Sequence, residues 1–181
     1  MRAVVVRFGL LPAVLVPIWF SGARVLTDSA GQLSVVLALT AAPAMIVVYL
    51  LTLHLPGRRR RHDTGEPVRP STRALALLTA SWVFGAIFGA SVPDLGPGAA
   101  SVVTVLAGDG ARGASAALSN PAGILMLFSA AAALGTAVFD ARREESGPPA
   151  PIEHETVLHA YGYGFMDEPA ESSEPSEEPG R

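Results

Sequence analysis

The chain has 181 residues, half of them hydrophobic and only 16% charged, with a formal net charge of −3. A soluble domain carries about a quarter charged residues, and ten of the sixteen acids follow Arg143, so the preceding sequence is poorer in charge still. Cysteine is absent, which excludes disulfides, thiolate metal sites and cysteine nucleophiles. All thirteen basic residues are Arg, and with abundant Ala, Gly and Pro this resembles a high-GC bacterial coding bias.

The first apolar segment, 3–23, is interrupted only by Arg7 and admits two readings. As a transmembrane helix, it lets Arg7 snorkel to the headgroups. As a signal peptide, it has a basic start, an apolar core from Phe8 to Phe20 and small residues at Ser21-Gly22-Ala23 for cleavage. Residues 33–55 follow as an uncharged span, about 34 Å long as a helix. Pro43 at its midpoint predicts a kink, since it lacks the N–H and crowds the carbonyl one turn back. The polar loop 56–73 carries six Arg, four of them consecutive, Arg58, Arg59, Arg60 and Arg61. The third span is 74–93, a Gly-rich connection runs over 94–117, and the fourth span is 118–139. The pattern predicts an all-α integral membrane protein of four transmembrane helices in two hairpins. The bundle occupies 1–143, and an acidic tail, 144–181, is too poor in apolar residues to offset its ordering entropy and is expected to be disordered.

Orientation follows from the arginines. The N-terminus, the 56–73 loop and the residues just after 140 hold ten Arg, whereas the other side holds only Arg24 and Arg112. That asymmetry predicts both termini in the cytoplasm and a multi-pass protein of the plasma membrane. Clustered basic residues beside a membrane attract anionic lipid, so Arg58, Arg59, Arg60 and Arg61 are candidate headgroup contacts. Nucleic-acid binding is not expected of so short a loop pinned to a bilayer.

Four motifs each have a simpler reading beside a functional one. Gly108-Asp109-Gly110-Ala111-Arg112-Gly113 fits G-x-G-x-x-G, and the preceding Ser101 to Ala107 even reads as a strand. There is no room for a βαβ unit, and a flexible loop explains it better. Asn120-Pro121-Ala122 is the tripeptide found twice in aquaporins; here it occurs once, and Asn as cap with Pro as first helical residue is the simpler account. His154, Glu155 and His159 have the wrong spacing for two zinc ligands on one helix face. Ser81, Gly85 and Gly89 recur every fourth residue in the third span, a groove of small side chains that lets helices pack closely. Trp82 beside them is expected to face lipid or a neighbouring helix.

Apart from Arg7, every Asp, Glu, Arg and His lies at or beyond a predicted helix end, which disfavours ion-coupled transport. The expectation is therefore a non-enzymatic accessory subunit or scaffold, with no catalytic residues, cofactor or metal. It would bind a protein partner through an aromatic island of the tail: Leu158, Tyr161, Tyr163 and Phe165. A homo-oligomer is compatible with this. The alternative is a small oligomeric transporter or channel, which flux into liposomes would reveal; a weaker third is a regulator of an envelope enzyme acting through the 94–117 loop.

Overall fold

A computed structural model of the chain describes residues 8–28, 30–94 and 100–147. The unit ending at Gly147 is helical, with no strand among the described residues beyond a single bridge between Arg60 and Pro67. Four helical stretches are long and apolar enough to cross a membrane: Leu10–Thr27, Gln32–His54, Thr72–Ser91 and Asp109–Ser146.

Helix α1 (Leu10–Gly22) tightens into a 3-10 turn over Ala23–Thr27. The second span is two helices, α2 (Gln32–Leu39) and α3 (Ala41–His54), separated at Thr40. The break falls one turn before Pro43, whose ring and missing N–H disturb the ladder at that point. Helix α4 (Thr72–Ser91) begins at Ser71, whose hydroxyl accepts from the Ala74 N–H at 3.2 Å. Ser101 to Ala107, which reads as a strand in sequence, forms instead the short helix α5 (Val102–Ala107). A reciprocal capping box between Ser101 and Thr104 decides the matter locally.

The last helix, α6 (Arg112–Ser146), overrides two expectations. Asn120 is not a cap, because the helix begins eight residues earlier and Pro121 lies inside it. Its interior stripe explains why the helix continues: Ser115, Ser119, Ala122, Met126, Ala130, Ala133, Ala137 and Ala141 are all buried, at steps of three and four. Packing of that stripe compensates the hydrogen bond Pro121 forfeits, as membrane helices allow. The helix also runs through Glu144 and Glu145, which sequence composition assigns to the tail.

α4 and α6 form the principal helix pair, with α1 and α3 packed around them. Ser81, Gly85 and Gly89 all lie buried on the inner face of α4. A Cβ added at Gly85 would sit 2.6 Å from Val16 Cγ1 and 3.2 Å from Met126 Sδ, so this position touches both α1 and α6. At Gly89 it would sit 2.7 Å from the Cα of Phe20 and 2.6 Å from Trp19 Cδ1, against the backbone of α1 itself. Trp82 stands edge-on to Tyr49 of α3, ring centroids 6.2 Å apart.

Ser81 does more than leave room. Its hydroxyl donates to the Met126 carbonyl at 2.8 Å, so its contact with Tyr49 Oη at 2.9 Å has the tyrosine as donor. One serine thus joins α3, α4 and α6 in the apolar interior. Ser81→Ala would orphan the buried Tyr49 hydroxyl and is expected to lower stability by about 1–3 kcal/mol, read as a fall in Tm in mild detergent. An unchanged Tm would remove this link from the account.

Candidate functional site

Among the described residues, the Asp, Glu, Arg and His side chains lie toward the two ends of the helical unit. At one end, α2 starts from Gly31, which has no side chain with which to cap the orphan N–H groups of the first turn. Asp94, just beyond α4, does it from a distance. Its carboxylate accepts from the N–H groups of Gly31 at 2.7 Å, Leu33 at 2.9 Å and Ser34 at 3.2 Å, and from the Ser34 hydroxyl at 2.6 Å. The helix N-terminus favours this negative charge as well as its geometry.

Arg24 completes the centre from the 3-10 turn after α1. Its Nε donates to Ser34 Oγ at 2.9 Å and lies 3.5 Å from Asp94 Oδ2. Its two terminal nitrogens donate to the carbonyls of Val92 and Phe20 at 3.0 and 3.3 Å. Arg24 has no solvent exposure and Asp94 only 4%. A lone buried charge costs several kcal/mol, so the pair is bound to remain together. Three backbone N–H groups at the start of α2, two carbonyl ends and the guanidinium are satisfied at once, and α1, α2 and α4 are joined through three side chains.

A second buried polar group lies at the same end. Ser115 of α6 donates to the Ser91 carbonyl at 2.6 Å and contacts Ser101 Oγ at 2.6 Å, which in turn contacts Thr104 Oγ1 at 2.8 Å. These hydroxyls tie α5 and α6 to the end of α4.

At the other end the basic loop turns back on itself. Arg61 N donates to the Glu66 carbonyl at 2.8 Å, and Val68 N donates to the Arg59 carbonyl at 3.0 Å. The turn is pinned to the last turns of α6. Arg61 grips Glu144 through Nε at 3.2 Å and a terminal nitrogen at 2.8 Å, the His62 N–H donates to the Glu144 carbonyl at 3.0 Å, and Arg59 pairs with Glu145. Hydrogen bonding to Glu144 and its charge raise the Arg61 pKa, fixing the guanidinium in its charged form. Gly147 then ends the helix at φ +71°, a conformation that L side chains rarely adopt, and a Cβ there would lie 3.1 Å from His62 Nδ1.

Of the four consecutive arginines, Arg59 and Arg61 thus face carboxylates, Arg60 lies 3.5 Å from the Gly65 carbonyl, and Arg58 borders a shallow apolar recess with His54 and Leu55. Leu158, Tyr161, Tyr163 and Phe165, like His154 and His159, lie outside the described residues. Among the described residues no three His, Cys, Asp or Glu side chains converge as metal ligands.

Sequence reading misses the Arg24–Asp94 centre: it counts Arg24 as a loop residue on the arginine-poor side. A signal was present. Arg24 and Asp94 each follow directly on an apolar segment, and two hairpins bring those segment ends to the same side. Glycine at the start of α2 was the other half of the clue, since a helix without its own cap needs an acceptor from elsewhere. Comparison of the chain with protein-family models, curated proteins and solved structures finds no match.

Proposed function

We propose that this chain is a non-enzymatic multi-pass protein of the plasma membrane. It acts as an accessory subunit or scaffold that offers its C-terminal segment to a protein partner. In this reading the N-terminus, the basic loop and the C-terminal segment lie in the cytoplasm, as the arginine distribution favours. The first span is retained, which the burial of Ala13, Phe20 and Arg24 supports.

The observation that carries the reading is the collar of Arg59, Arg61 and His62 around Glu144 and Glu145. At 35 residues, α6 is about 52 Å long, whereas the hydrocarbon core is about 30 Å thick. Its polar end therefore projects beyond the bilayer, and the collar holds it beside the loop. Exposed ion pairs contribute only about 0–1 kcal/mol each, so the collar's effect is on position more than on stability. It holds the end of α6 beside the basic loop, and a short aromatic segment such as the one in the following sequence suits binding coupled to ordering.

The test is recovery of partners from native membranes by the full-length protein and by a version ending at Ser146. Partners recovered by the first and lost by the second are the expected result. Equal recovery by both would overturn the reading.

A further inference from the structure

A groove of about 740 Å³ runs between α3 and α6 on the outside of the helical unit. α3 contributes Ala44 and Val48, and α6 contributes an apolar stretch from Leu127 to Phe139 that ends at Arg142. A Cβ added at Gly135 would meet nothing within 4 Å, so the space beside it is open. Unfilled, such a recess forfeits the dispersion contacts that close packing provides.

Length and charge together select the occupant. From Leu127 to Phe139 the helix rises about 18 Å, close to the depth of one leaflet's hydrocarbon, about 15 Å. Arg142 follows one turn later, at headgroup height. Unlike Arg59 and Arg61, it has no hydrogen-bond or ion-pair partner among the described residues. We infer that this groove is a binding site for one anionic phospholipid, with an acyl chain along Gly135 and the phosphate on Arg142. A second copy of the chain would fill the apolar part but would need to bring a carboxylate to Arg142. A lipid brings both features in one molecule. The inference rests on the helices spanning a membrane and is independent of the C-terminal segment and its partner.

The experiment uses full-length protein in mild detergent, loaded with phosphatidylglycerol or phosphatidylcholine of identical chains, with native mass spectrometry to count retained lipid. One phosphatidylglycerol per chain should survive washing that strips phosphatidylcholine, and glycerol 3-phosphate, which has the headgroup charge without chains, should not be retained. Gly135→Leu and, separately, Ala131→Leu should abolish retention by occupying the groove. Arg142→Gln, at an exposed position, should lower retention of phosphatidylglycerol about fivefold and leave phosphatidylcholine unchanged. Helical circular dichroism accompanies each variant; if one leucine variant does not fold, the other and Arg142→Gln decide. Unchanged retention in the folded leucine variants, or a preference for the anionic lipid that survives Arg142→Gln, would overturn the assignment. So would a lipid-free dimer that Gly135→Leu dissociates, which would give the groove to a second copy.

Discussion

Asp94→Asn is expected to destabilise the protein by about 3–5 kcal/mol, the range seen when one partner of a buried ion pair is removed. The substitution is nearly isosteric and keeps an oxygen that can still accept from the first turn of α2. What it removes is the negative charge, leaving the Arg24 guanidinium buried without compensation. Three helices should loosen together, because Arg24 and Asp94 connect the ends of α1 and α4 to the start of α2. Thermal unfolding in mild detergent measures this directly. A loss below about 1 kcal/mol would place the pair in water and contradict its burial.

Gly89→Ala should cost about 2–3 kcal/mol, and more than Gly85→Ala. The two glycines are separated by one helical turn but face different atoms. At Gly85 the intruding methyl would meet the side chains of Val16 and Met126, and Met can adjust its rotamers. At Gly89 it would meet the Phe20 backbone at 2.7 Å, which moves only if α1 moves as a whole. α1 also donates from Trp19 Nε1 to the Ala86 carbonyl at 3.0 Å, so displacing it breaks a second contact. Comparing the two Tm values tests the ranking; equal losses would show that α1 yields as easily as a side chain.

The four long helical stretches were legible from the sequence because they depend on composition and length. Long uncharged runs such as 33–55 and 74–93 demand helix once they are to be buried in lipid, where every backbone group needs a partner. Boundaries were less legible where a distant contact decides them. Nothing local to Asn120-Pro121 indicates that a stripe of buried serine and alanine carries the helix through it. Glu144 and Glu145 resemble the tail in composition and are drawn into helix by arginines more than 80 residues earlier. The charged centre was hidden for the same reason. Asp94 caps a helix that starts 62 residues before it, and only the assembled hairpins show that the two meet.

The proposed function separates two roles: the Arg24–Asp94 end holds α1, α2 and α4 together, and the collar end would present the C-terminal segment. The most direct measurement of that division is the double variant Arg24→Met/Asp94→Asn, assayed for Tm and for partner recovery from membranes. The pair removed together leaves no unpaired charge, and the amide oxygen of the introduced asparagine can still cap α2. The double variant should therefore be more stable than Asp94→Asn alone, with a coupling of about 0.5–3 kcal/mol, and should recover the same partners as the unaltered protein. A double variant that folds with an unchanged Tm yet loses its partners would contradict this division, because the charged centre itself would then carry the function.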